Sequence, residues 1–439
     1  MTVPDLVVRA ARAWVDGAWR PAQVAVTDGR ITALDGPVPD GVTVVELAED
    51  EVLLPGLVDS HVHVNEPGRT AWEGFASATR AAAAGGVTTL VDMPLNSVPA
   101  TTTVEALAAK RAATDGKLSV DVAFWGGAVP ENLGSLRPLH DAGVRGFKAF
   151  LTPSGVAEFG HLDAAQLEVA LAEVAALGSV LVVHAEDPAD LRGDGALGER
   201  YADFLASRPA VSERHAIRRV IEGMRSTGAR AHVLHLSDAG SLDLVRAAKA
   251  EGLPLTVETC PHYLALRAED VPSAATQFKC CPPIRDAGNQ DRLWAGVLDG
   301  TIDAIVSDHS PSTADLKSAD FGLSWGGIAG LQLGLSVVWT EARRRGIALE
   351  DLLPLLTTGP ARVAGLSRGV LGVGAPAHLV AFAPDEERVV DVHALEHKNP
   401  VSPYDGATLA GAVRTVWLDG VPVVEAGTVT APGRGHLYA

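Results

Sequence analysis

Val52-Leu53-Leu54-Pro55-Gly56-Leu57-Val58-Asp59-Ser60-His61-Val62-His63 is an apolar run that ends in two histidines two residues apart. Side chains alternate along a strand, so both imidazoles leave the same face and can share one cation. Core packing gives no reason for such an ending. One His-x-His is weak by itself and gains force only if further ligands close other strands.

Downstream of this run the chain alternates between strand-like and helical stretches. Apolar strand candidates occupy 57–64, 88–92, 120–125, 146–151, 180–184, 231–235, 255–258 and 304–307, and alanine- and leucine-rich stretches at 70–84, 164–176, 212–224 and 241–250 read as helices. Eight strands joined by helical crossovers predict an α/β fold, a (β/α)8 TIM-type barrel, over 55–365. A doubly wound open sheet is the competing arrangement. The placement of the polar chemistry favours the barrel, because barrel enzymes collect their catalytic groups at the C-terminal ends of several strands. Residues 1–54 and 366–439 read instead as short strands and turns, with Asp28-Gly29 and Asp419-Gly420 as hairpin signals. Neither flank has enough strands to stand alone; together they predict a small β-sandwich built from both termini.

The unusual residues fall at the strand ends. His61 and His63 end the first strand, Lys148 lies in the fourth, His184 closes the fifth, His235 the sixth, and Asp308 follows the eighth. A lone histidine at a strand end is usually a hydrogen-bonded loop residue, but that reading would have to hold independently at each position. His232 and His235 are an odd number apart, so only one faces the barrel mouth; His235 is the better ligand and His232 a packed or supporting residue. Lys148 is the odd member, since a charged ammonium is hostile to cations and loses solvation when buried. Reaction with carbon dioxide would convert it to a carbamate, whose two oxygens can bridge two metals about 3.5–4 Å apart. Asp308 can ligate a metal, take a proton from a metal-bridging water and hand it to a leaving nitrogen. The set predicts metal-assisted hydrolysis of an amide-like bond.

Composition narrows the class. Of 439 residues, 36 are basic and 54 acidic, a net charge of −18, which leaves no basic stripe for nucleic acid. Three cysteines, Cys260, Cys280 and Cys281, make no disulfide framework. Neither a signal-like N-terminus nor a membrane-length apolar run is evident, so a cytoplasmic protein is expected.

Several stretches resemble the cyclic amidohydrolases, the group of dihydroorotases, dihydropyrimidinases (hydantoinases) and allantoinases. They are 55–63, Ala84-Gly85-Gly86-Val87-Thr88-Thr89, Gly146-Phe147-Lys148, Val183-His184-Ala185-Glu186, His235-Leu236-Ser237, Glu258-Thr259-Cys260-Pro261-His262-Tyr263 and Ser307-Asp308-His309. The resemblance implies two divalent ions, zinc above all, with His61, His63 and Asp308 on the first, His184 and His235 on the second, and carboxylated Lys148 between them. It also implies a homo-oligomer, tetramer or dimer. Dihydroorotases place a carboxylate-gripping arginine where this chain has the neutral Asn65. Stretches 65–70, 92–97, 279–285 and 325–332 look like the allantoinases, while Ser312 and Ala377-His378 depart from their usual pattern. That branch implies hydrolysis of allantoin to allantoate, a neutral ureide held by amides and backbone groups rather than a guanidinium. Asn65, Asn96, Thr152, His262, Cys281 and Gly326 are then the expected substrate contacts. A hydantoinase of broad ring specificity and a non-catalytic scaffold of the same fold stay open as alternatives.

Overall fold

Eight short strands, buried along almost their whole length, form the centre of the molecule in a computed structural model that describes residues 3–193 and 195–438. They are β1 (Leu57–Val62), β2 (Val87–Asp92), β3 (Asp121–Phe124), β4 (Phe147–Phe150), β5 (Val180–His184), β6 (Arg230–Val233), β7 (Leu255–Thr259) and β8 (Ala304–Ile305). All neighbours are parallel; β3 reaches β4 through its continuation Gly126–Gly127. The ring closes just beyond β8, where His309 bridges Val62 in parallel and accepts the His63 N–H at 2.8 Å. Near-continuous hydrophobic runs are what a parallel sheet covered on both faces demands.

The carboxylate of Asp59 reinforces that closure. One oxygen accepts the His61 N–H and the other the Ser307 N–H, each at 3.0 Å, so a buried carboxylate clips β1 to β8 beside the chemistry. At the end of β2, the fully buried Lys110 donates to Asp92 at 2.6 Å and to the Met93 carbonyl at 2.8 Å, while Asp92 accepts the Val64 N–H at 2.9 Å. These polar groups are paired, as burial requires.

The crossover helices obey their sequence signals. Ala164–Leu177 starts at Asp163 with a capping box to Gln166 and ends at left-handed Gly178. It buries Leu167, Ala170, Leu171 and Val174, the stripe of a helix lying on a sheet. The helix expected over 70–84 begins only at Phe75. Gly74 has φ +138°, outside helical space, and Glu66 accepts the Phe75 N–H at 2.9 Å in place of a further turn.

Both termini build one nine-stranded mixed sheet, in which Val52–Pro55 runs between Leu6–Val15 and Leu379–Val389. A bulge between Ala10 and Ala13 lets Leu6–Val15 change partners, pairing Thr43–Glu46 first and Val52–Pro55 later. Burial alternates along Ala18–Thr27, the mark of a half-covered sheet, and a core of its own includes Val8, Val24, Ile31, Leu379 and Trp417. The hairpins at Asp28-Gly29 and Asp419-Gly420 form, with all four residues at positive φ. Residues 435–438 leave this sheet and run along β3, where Val122 donates to the His436 carbonyl at 2.9 Å.

Candidate metal centre

The C-terminal ends of the barrel strands open into a cavity of about 730 Å³. His61, His63, Lys148, His184, His235 and Asp308 all line it. A larger cleft of about 1250 Å³ opens elsewhere, against the terminal sheet, and holds none of the six.

Donor atoms of His61, His63 and Asp308 lie within 4.8 Å of one another, and Asp308 Oδ1 stands 3.1 Å from His61 Nε2 and 3.5 Å from His63 Nε2. Beside this trio, His184 Nδ1 and His235 Nε2 are 3.0 Å apart, and the rings of His61 and His235 are 5.4 Å centre to centre. The two groups are therefore adjacent parts of one centre. Asp308 and His235 take left-handed backbone angles, φ +43° and +36°, which cost a non-glycine residue energy and concentrate at functional sites.

Carboxylates behind the imidazoles set their orientation. Glu258 accepts from His61 Nδ1 at 2.5 Å and from His232 Nε2 at 2.9 Å, so His61 Nε2 faces the cavity. His232 spends its other nitrogen on Thr256, at 2.8 Å, and is the supporting residue expected. Glu186 accepts from His184 Nε2 at 2.8 Å, which leaves Nδ1 toward His235. Glu258, Glu186 and Asp59 were missed as functional residues. A signal existed for Glu186, two residues past His184 and hence on its side of an extended chain; nothing local marks Glu258, whose partners are distant in sequence.

The centre fits cations. His61 Nε2, the ring nitrogen that faces Asp308, is buried without a hydrogen-bond partner, an arrangement a metal would satisfy. Burial drives His63 down to about 4, and lowers His184 and His235 too, so these rings are neutral at pH 7, the state in which an imidazole can hold a metal. His61 differs: burial opposes its charge, but Asp308 and Glu258 outweigh burial and raise it to about 9. Lys148 is 1% exposed and forms no hydrogen bond or ion pair among the described residues; its amine sits 4.8 Å from the centre of the Phe150 ring. Burial lowers it to about 8, giving an amine that is in part neutral near pH 7 and can react with carbon dioxide.

Of the expected substrate contacts, Asn96, Thr152, Cys281 and Gly326 line the cavity. Asn65 and His262 are not among its lining residues. Asn65 is wholly buried, with its amide N–H given to the Pro311 carbonyl at 3.3 Å. His262 lies behind the wall, its donor atom within 4.8 Å of those of Cys260 and Asp308. A guanidinium that was not among the expected site residues, that of Arg208, also lines the cavity. Sequence gave no sign of it, since residue 208 follows a helix rather than a barrel strand.

The chain is similar to known proteins along most of its length. The amidohydrolase family matches residues 52–423. An allantoinase of Streptomyces avermitilis is 55% identical over 100% of this chain and 99% of its own, and an allantoinase of Saccharomyces cerevisiae is 41% identical over 92% of each. Among solved structures, the L-hydantoinase of Arthrobacter aurescens superposes with a TM-score of 0.92 over 99% of both chains at 30% identity. With its barrel, its ligand-rich mouth and a match across most of its length, the chain belongs to the amidohydrolase family.

Proposed function

We propose that this protein is an allantoinase, opening the hydantoin ring of allantoin by adding water across a ring amide to give allantoate. The observation that carries the reading is the convergence of His61, His63, Lys148, His184, His235 and Asp308 on one cavity. The allantoinase relatives supply the substrate.

In this reading His61, His63 and Asp308 would hold one divalent cation and His184 and His235 the other, with carboxylated Lys148 as a further oxygen donor; zinc suits such nitrogen and oxygen donors. Cations there supply Lewis acidity and make water acidic enough to yield hydroxide near neutral pH. The chain's own residues do the rest. Asp308 accepts the proton of the attacking water as the new C–O bond forms. It then returns that proton to the ring nitrogen as the C–N bond breaks, so the products are a neutral urea nitrogen and a carboxylic acid, which loses its own proton to solvent to become the carboxylate. Glu258 and Glu186 keep His61 and His184 in the ligating tautomer. Asn96, Thr152, Cys281 and the backbone at Gly326 bind the ureide through neutral donors and acceptors. The same reading takes the protein to be a cytoplasmic dimer or tetramer, which light scattering on purified protein checks for assembly. Among the described residues, no helix is long and apolar enough to cross a membrane.

Ring opening of allantoin, assayed with and without a chelator, tests this directly. The expected result is turnover that chelation abolishes and divalent metal restores. The fold similarity to an L-hydantoinase favours broad ring specificity as the second reading. Turnover of dihydrouracil or phenylhydantoin that rivals allantoin would establish it instead.

A further inference from the structure

Arg208 follows the helix Tyr201–Ser207 and meets Glu186 side-on: Nε donates to one carboxylate oxygen at 3.0 Å and Nη2 to the other at 2.6 Å. This fork uses one edge of the guanidinium. The opposite edge, Nη1, has no protein partner among the described residues, and the side chain, 20% exposed, lines the cavity. Lys279, another cation of the wall, is already engaged by the carbonyls of Gly322 at 3.1 Å and Ser324 at 2.5 Å. Arg208 therefore brings spare, rigidly held N–H donors into the cavity that also holds the ligand cluster. Because Glu186 holds His184, the guanidinium stands one carboxylate beyond the centre.

A guanidinium donates and never accepts, so its complement is an oxygen with free lone pairs. The charge of Arg208 is already met by Glu186, which favours a neutral acceptor over a carboxylate. Allantoin carries such a group: its hydantoin ring goes to the reacting centre, and its exocyclic ureido arm ends in a urea carbonyl. Resting on the allantoin reading above, we infer that Arg208 is a specificity-determining residue that donates through its free edge to the carbonyl oxygen of the ureido arm. It separates ureido-substituted hydantoins from rings without the arm. Glu186 has two tasks in this arrangement, holding the guanidinium flat on one side and His184 on the other.

The test compares substrate with arm and ring without arm on Arg208→Gln, after its metal content is found equal to that of the parent protein. The parent must first open allantoin; if it does not, the reading beneath fails rather than this inference. The expected result is a rise of about 10- to 100-fold in KM for allantoin, the loss of one charge-assisted hydrogen bond. The inhibition constants of hydantoin and 5-methylhydantoin as competitors should stay within about twofold, because a ring without the arm makes no such bond. Arg208→Lys, which keeps a charge against Glu186 but has no second edge, should give the same split and guards against a poorly folded glutamine variant. Parallel changes for allantoin and the bare rings would overturn the inference. So would an unchanged KM with a reduced kcat, since Arg208 would then act only through Glu186 and His184.

Discussion

Lys148 is a buried amine with no hydrogen bond or ion pair among the described residues, and the proposed carbamate would give it a charge that suits a metal centre. Lys148→Ala is expected to lower kcat by at least about a thousandfold, as removal of a bridging ligand disables the whole centre. A short-chain carboxylic acid with added metal should restore a few per cent by standing in for the missing oxygens, and a steady-state assay with and without acetate reads both effects. Asp308 is tested differently. Asp308→Asn keeps the size of the side chain but removes the proton acceptor, so kcat should fall by about 10²- to 10⁴-fold with KM little changed. Glu258 acts through His61, and Glu258→Gln should weaken metal retention or activity by about 10- to 100-fold, read by chelator titration.

At the scale of elements, the strand ends hold their ligands because buried charges fix the barrel rim. Lys110→Ala leaves the Asp92 carboxylate buried and unpaired, and should destabilise the fold by about 3–5 kcal/mol in urea unfolding. Legibility in the sequence follows the same division. The eight strands could be read because each is apolar and bounded by turns, and the terminal hairpins because Asp-Gly permits positive φ. The start of the helix at Phe75 could not, since Glu66 stands nine residues away and acts across a loop. Likewise the six residues that meet in the cavity could be read at strand ends, whereas Glu258 and Arg208 reach it through tertiary contacts that leave no local pattern. Asn65 lies in a stretch read as allantoinase-like, but its buried side-chain amide donates to the Pro311 carbonyl at 3.3 Å.

Across the whole molecule, the terminal sheet and barrel are joined by loops whose buried groups make stability depend on pH. His397 is 5% exposed and rests beside His309, ring centres 5.9 Å apart; burial, helped by His309, lowers it to about 4. Its folded value lies below the unfolded one of about 6.5, so the unfolded chain binds more protons between those limits. Stability is then full above about pH 6.5 and falls as pH drops toward 4, by up to about 3 kcal/mol from this ring. Urea midpoints measured from pH 7 to 4 should decline, and His397→Gln should flatten that decline. The centre adds its own linkage, because cations bound only by the folded chain raise its stability.

The central claim is that six side chains from five strands enclose a pair of cations bridged through Lys148. Anomalous scattering from crystals of the metal-loaded protein measures this most directly. Two peaks are predicted, one against His61, His63 and Asp308 and one against His184 and His235, with density joining Lys148 to both. A single peak, or a Lys148 amine turned away and unmodified between two ions, would contradict it.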